Sequence, residues 1–493
     1  MKKIKTVFIG GGFLNQQYPW LIPIIDKYCK NKKINQIIFE TLPSKDILEN
    51  KYYNKIFKSY KILKLEEALP FFLKIKLVRF FLVVPIAFFY SFFIKRQKIL
   101  ENTNWTKSQF RHAVWDTAAN ISKHPKEIIN PGFKIKFYSS IKNFETKLVA
   151  KYLIEKNLSA VFLNHCVYFY RTLLSEFRKE KKIKTYIQAN YTVFRQNEFR
   201  DNNENILSKS NLIKLKKVIS NKNIDNYWKK RINGNAVYSL ANDASNLKKI
   251  SKLKVPNNVL MLHIFKDSPY SIIDKNRIFK DYVDWLKFTL NVISKSDEVW
   301  GIKFHPSAHR WGENSHKIFD EFISEMFQSK IPKNFFLINK EFSNYKIFKK
   351  SKRIVTFWGT CHLESAAFGL KPIIIRDVQL SAFDKSSVIK PKNLNEYKSK
   401  LLTKNLNEFK LTKTQMNNAR FLIFIREKVL NFINDIDQHW IMRGDSQKHI
   451  NKNFLKTIKN IKKYENFLKQ NATLLTSNFS HTLSKKYIKY FLN

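Results

Sequence analysis

Apolar positions in this 493-residue chain fall into short continuous runs separated by stretches with helical periodicity. At the start, 6–9 is a short apolar run, Gly10-Gly11-Gly12 a turn, and 22–28 a helical pattern with Pro23 in its first turn. A second run, 34–39, ends at Glu40, so a β-turn-α-β unit is expected. The polar-aromatic stretch 103–122 and the amphipathic stretch 143–156 predict helices. The run 159–164 predicts a buried strand, closing on Asn164-His165-Cys166-Val167-Tyr168. Helix 169–179 and strand 184–188 repeat the alternation, and 209–230 reads as a charged, Asn-rich helical excursion. Residues 246–258, polar and containing Pro256, read as a linker.

A second alternating unit opens at Val259-Leu260-Met261-Leu262-His263. Phe279, Val283, Leu286 and Leu290 mark a helix over 277–294. Strands are then expected at 299–304, 335–338, 353–357 and 372–375, with helices at 314–328, 343–349 and 361–368. Alternation this regular implies a parallel sheet covered on both faces. From Leu411 onward the pattern is helical and basic, with no strand and no internal repeat. The fold class expected is α/β with two Rossmann-like domains and a C-terminal helical extension. The domains are 1–245, carrying an apolar and basic insertion at 70–98, then 256–410, then a basic helical tail at 411–493.

The insertion changes the picture. Residues 77–94 are nearly continuously apolar, broken by Arg79 and Pro85 and flanked by Lys74, Lys76, Lys95 and Arg96. The uninterrupted core falls short of the ~20 residues of a membrane span. Three readings stay open, a helix lying at the surface of an anionic leaflet, a buried helix of the first domain and, least favoured, a transmembrane helix. The chain carries 90 Lys and Arg against 39 Asp and Glu, a formal charge of +51. Lysine is spread along the whole chain and only ten residues are glycine, so a composition bias of the whole sequence competes with a basic surface for anionic lipid or anionic sugar. No register of aromatic and basic residues suggests nucleic acid as a partner. Cys29, Cys166 and Cys361 are widely spaced, which predicts neither disulfide nor zinc site and favours a reducing cytoplasm. No cleavable leader follows Met1-Lys2-Lys3-Ile4-Lys5. A cytoplasmic protein is expected, peripheral at the inner face of the membrane if the insertion meets lipid.

Chemistry-bearing residues gather at the ends of the strands of the second unit. His263 and Asp267 follow its first strand, where a cleft between domains would take them as acid or base, or packing and capping would use them. Lys303, His305 and Pro306 end the next strand. A cation beside an imidazole suits the phosphate of a nucleotide leaving group. Gly359-Thr360 turns into a helix bearing His362, Glu364 and Ser365. Thr360 at its start fits a phosphate or a simple cap, and Glu364 fits ribose hydroxyls or the helix dipole. Gly10-Gly11-Gly12 resembles an incomplete dinucleotide fingerprint, with Asn15 in place of its last glycine. No metal site is expected, since no HExxH spacing occurs and the one DxD, Asp435-Ile436-Asp437, lies in a helical setting. GxSxG and P-loop patterns are missing, against hydrolase and NTPase chemistry.

With these residues in view, 155–380 resembles the bacterial capsule and surface-polysaccharide glycosyltransferases of GT-B type, including Kdo-transferase-like members. The resemblance rests on Lys303 to Pro306, Gly359-Thr360, Glu364 and Gly369 to Pro372, with Leu262 to Lys266, Asp284-Trp285-Leu286 and Asn164 to Tyr168 in support. It implies two domains facing a cleft, a nucleotide-sugar donor, a polysaccharide or glycolipid acceptor and no further cofactor. Lys303, His305, Gly359, Thr360, His362, Glu364 and Ser365 would hold the donor, and Asp267, His165 and His263 are the candidate catalytic groups. A CDP-polyol phosphotransferase of wall-type polymer synthesis is the alternative within related chemistry. A non-catalytic membrane-peripheral or nucleic-acid binding protein is the alternative of another class.

Overall fold

The computed structural model describes residues 4–11, 17–95, 105–164, 167–180, 182–189, 192–195, 207–236, 255–267, 269–270, 278–339, 342–376, 379–432, 447–477 and 482–492. Two sheets organise it. The first runs β3-β2-β1-β4-β5-β6, with β1 Thr6–Gly10, β2 Gln36–Phe39, β3 Lys61–Lys64, β4 Leu158–Leu163, β5 Lys184–Ala189 and β6 Thr192–Arg195. All pairs are parallel except β5 with β6. The second runs β11-β10-β7-β8-β9, all parallel, with β7 Asn258–Met261, β8 Trp300–Lys303, β9 Phe335–Ile338, β10 Arg353–Thr356 and β11 Ile373–Ile374.

Counted in chain order, the parallel strands of each sheet lie 3-2-1-4-5, the doubly wound order in which chain direction across the sheet reverses between the first and fourth strands. Two Rossmann-like sheets, as expected from the sequence, are therefore present. Each reversal leaves a crevice at the carboxyl ends of two strands. In the first sheet it lies between β1 and β4, and in the second between β7 and β10.

The elements differ from the sequence expectation where tertiary contacts outweigh local pattern. The first helix is Tyr18–Lys32, longer than 22–28. Pro23 removes the donor that would reach the Pro19 carbonyl, and the Tyr53 hydroxyl supplies one instead at 2.7 Å. Strand β3 has no buried position and β6 pairs only with β5, so neither carries the apolar run that marks a core strand. The helix expected over 277–294 is Tyr282–Ile293, started by the Asp281 side chain. Residues 209–230 form two helices, Lys209–Val218 and Asn221–Ile232, each capped by the serine before it. Most of the linker 246–258 lies outside the described residues.

The C-terminal extension packs back on the first domain. Helix Glu465–Thr476 lies against Tyr18–Lys32, and the Tyr186 hydroxyl donates to the Leu475 carbonyl at 3.1 Å. Helix Lys413–Phe424 packs on both Cys361–Ala367 and Asn221–Ile232. At that junction Arg231, 1% exposed, donates to Glu364 at 2.7 Å, to Glu427 at 3.0 Å and to the Tyr345 hydroxyl at 2.5 Å. Tyr227 adds a further hydrogen bond to Glu427. Burial opposes the charge of Arg231, and the two carboxylates more than offset it.

Removing one member strands the others. Arg231→Met leaves Glu364 and Glu427 buried without their cation, a change that typically costs about 3–5 kcal/mol. We expect a loss of that size in urea unfolding. Combining it with Glu364→Gln and Glu427→Gln should recover a large part.

Candidate functional site

The second sheet's crevice is framed by His263 after β7 and by Trp358-Gly359-Thr360 after β10. Gly359 has φ of +101°, a left-handed value that side chains resist. The turn thereby brings Trp358 against the imidazole of His263, ring centroids 4.8 Å apart and nearly perpendicular. His305, beyond the end of β8, lies edge-on to His263 at 6.0 Å. The backbone of His263 is pinned by the buried Tyr282 hydroxyl, which accepts from its N–H at 2.9 Å and donates to its carbonyl at 3.3 Å. Asp267 closes the loop, with Oδ2 3.5 Å from His263 Nε2. Glu313 accepts from the Lys266 N–H at 2.8 Å and from the Ser315 hydroxyl at 2.5 Å, so a buried carboxylate positions that loop. Burial raises the Glu313 carboxyl.

The imidazole of His305 accepts from the Ser307 N–H at Nδ1, 3.2 Å away. Burial first, then His263 and Lys303, push its pKa down to about 3, against the opposing pull of Asp267. The ring is neutral at physiological pH, with its proton on Nε2. Lys303 sits behind it, fully buried, donating from Nζ to the Asn339 carbonyl at 3.0 Å at the end of β9. Burial alone pushes this ammonium down to about 7. Two further groups join, Arg376, which sequence reasoning did not single out, and Tyr168, which it noted only in support of the resemblance. The Arg376 guanidinium, two residues past β11, lies 4.5 Å from the Trp358 ring centroid. Tyr168, after β4 of the first sheet, donates to the Lys266 carbonyl at 3.2 Å and holds φ at 55°, a costly value for an aromatic residue. Arg376 obeys the strand-end rule that selected His305, and that rule applied to every strand would have found it.

The remaining candidates divide. Thr360 is half-buried and makes no capping hydrogen bond from its side chain. His362 is buried, bonded through Nδ1 to the Gly359 carbonyl and pushed down to about 3, chiefly by burial. Ser365 donates to the His362 carbonyl at 3.1 Å inside the same helix, and Glu364 is engaged by Arg231. These three face the body of the protein. Cys361 is half-buried, and desolvation pushes its thiol up to about 12. His165 lies outside the described residues.

In the first sheet's crevice, the Gly11 N–H donates to Glu40 at 2.5 Å. Gly11 has φ of +125°, and an added Cβ would fall 1.9 Å from Asn164 Oδ1. A carboxylate therefore occupies the Gly11 amide that a phosphate would need, while Gly12 and Asn15 lie outside the described residues. Among the described residues no group of three His, Cys, Asp or Glu is placed to hold a metal ion.

No protein-family profile and no curated protein matches the chain. Among solved structures it is similar to UDP-GlcNAc 2-epimerase of Methanocaldococcus jannaschii, at 12% identity over 86% of this chain and 99% of that one, TM-score 0.28. It is also similar to a glycosyltransferase of Rickettsia africae, at 10% over 94% and 100%, TM-score 0.26. A third is the glycosyltransferase SnogD of Streptomyces nogalater, at 7% over 94% and 99%, TM-score 0.24. With scores this low, activity has to be argued from the residues themselves.

The depressed ammonium has a pH signature. The unfolded chain holds the Lys303 proton up to its ordinary 10.5, whereas the folded chain releases it near 7. The cost of burying the charge is fully present below about 7 and is relieved as pH rises towards 10.5. We expect wild type to gain stability relative to Lys303→Met between pH 7 and 10, read from urea unfolding at both ends.

Proposed function

We propose that the chain is a nucleotide-sugar-dependent glycosyltransferase whose donor phosphates bind over β8, β10 and β11 and whose acceptor is held by the first domain. The observation that carries this reading is that Lys303, His305, His263 and Arg376 all end or follow strands at the carboxyl edge of one Rossmann-like sheet, with His263 against Trp358 across its strand reversal. An acceptor hydroxyl attacks the anomeric carbon of the donor sugar. The carbon–oxygen bond to the nucleotide phosphate breaks, and its electron pair stays on the phosphate oxygen. Nε2–H of His305 donates to that oxygen, and the charges of Lys303 and Arg376 act in a site where burial strengthens them. A phosphate dianion beside Lys303 restores the proton that burial removes.

The acceptor proton passes to the pair His263 and Asp267. With Nε2 facing Asp267 at 3.5 Å, Nδ1 of His263 is the nitrogen left to take the proton. His165, two residues after β4 in sequence and outside the described residues, is the first-domain candidate for the same task. Glu364 acts in this reading as a positioning residue. A hydrogen bond from a ribose hydroxyl to a carboxylate contributes about 1.5–3 kcal/mol, less than breaking a buried pair loses, so Glu364 stays with Arg231 and anchors the helix that carries Gly359. A surface polysaccharide or glycolipid is the acceptor class this reading assigns, with CDP-polyol transfer as the variant that donor identity separates.

A thermal-shift panel of CMP, CDP, UDP and GDP tests the donor site. One nucleotide should raise the midpoint, and His305→Ala should weaken its binding by about tenfold, the loss of one hydrogen bond to a charged partner. Calorimetry at pH 8 in buffers of different ionisation heat should show proton uptake on binding, since Lys303 is largely neutral there. Folded protein that responds to none of the four nucleotides would sink the reading.

A further inference from the structure

The helix Lys76–Phe93 is one the fold itself does not bury. Of its 18 residues only Val83, Ala87 and Ser91 are buried, a single stripe spaced four apart that lies along helix Phe133–Glu155. Ser91 and Ser140 fix the contact with a hydrogen bond of 3.0 Å. The opposite face is apolar and open, with Phe81 and Phe89 each 63% exposed, Phe93 76% and, just before the helix, Phe71 78%. Isolated exposed apolar residues are ordinary, but a contiguous aromatic face of this length marks a surface made to be covered.

Charge decides the occupant. No acidic residue occurs from Ala68 to Leu100, while Lys74, Lys76, Arg79, Lys95, Arg96 and Lys98 bracket the apolar run. Lys74, Lys76 and Lys95 are exposed. In a second copy docked face to face, these lysines would stand against like charge. An anionic leaflet accepts the aromatic face among its acyl chains and the lysines at its headgroups. The packed stripe also fixes orientation. A helix lying lengthwise on Phe133–Glu155, which carries Lys134, Lys136, Lys142, Lys147 and Lys151, cannot cross a bilayer without drawing those charges in.

We infer that Phe71–Lys74 and Lys76–Phe93 form a monotopic docking surface for an anionic lipid leaflet, with the long helix flat in the interface. The surface also orients the site. Ile94, immediately after the helix, belongs to the same buried cluster as Phe265, Tyr282 and Trp358 of the second domain. Docking therefore holds the seam between the domains close to the lipid surface. The inference stands apart from the transferase reading, because lipid binding is measured without substrate.

Flotation of the full chain with vesicles of phosphatidylcholine alone and of phosphatidylcholine with phosphatidylglycerol tests it. The chain should float with the anionic vesicles and less with neutral ones. The exposed-face variant Phe81→Ser/Phe89→Ser/Phe93→Ser should lower partitioning by at least tenfold, as the loss of three inserted aromatic rings requires, with an unchanged thermal transition. Lys74→Glu/Lys76→Glu should weaken binding to anionic vesicles about fivefold or more and leave neutral vesicles unaffected. Failure of wild type to float with anionic vesicles would overturn the inference. So would a dimer in sedimentation that the serine variant dissociates, or retention after alkaline carbonate washing of membranes from expressing cells, which would mean a spanning helix.

Discussion

The structure depends on one buried cation. Arg231 ends the helix that leads from the first sheet to the second, and its guanidinium binds Glu364 of the second domain and Glu427 just beyond helix Lys413–Phe424. Three segments distant in sequence thus share one charge cluster. Its planar fork allows both carboxylates to be met at fixed angles. Such clusters add little net stability beside an apolar alternative. Their effect is to make other arrangements of the three segments expensive. The helix Cys361–Ala367 is held in this way at its middle, and the Gly359 turn at its start inherits that position.

The second sheet is treated differently at its two edges. At the amino edge Arg353 is fully buried, paired with Glu298, bonded to the carbonyls of Leu401 and Thr403, and stacked with Trp300 and Phe409. Every feature there closes the edge. At the carboxyl edge Lys303 and His305 are held where burial disfavours their charge. Tyr168 crosses from the other sheet to this edge at a strained backbone angle. Burial disfavours charge at both edges, Arg353 included, and at the amino edge the Glu298 carboxylate opposes that effect.

Much of this was legible in the sequence. The strands β1, β2, β4, β5 and β7 to β11 announced themselves as apolar runs, since parallel strands buried on both faces need no polar alternation. The strand-end residues followed, and Lys303, His305, His263 and Asp267 do gather. Sequence spacing carried no information about direction beyond the strands, so His362, Glu364 and Ser365 looked equivalent to Thr360, although helical rotation turns them inward. The partner of Glu364 lies more than a hundred residues away, and no local pattern reports a pairing of that range. The edge strands β3 and β6 were missed because an edge strand need not be apolar.

The insertion helix shows why topology matters as much as pattern. In a 3-2-1-4-5 sheet the chain must leave edge strand β3, pass β2 and β1, and return at β4. That is the one connection that skips strands, and it is where added helices disturb the sheet least. It spans 65–157 here and contains the apolar helix, its packing partner Phe133–Glu155 and helix Trp105–Ile121. The last reaches the second domain, where Asp116 accepts from the Tyr270 N–H at 2.8 Å. The connection most tolerant of growth therefore joins the exposed aromatic face to the seam beside the candidate site.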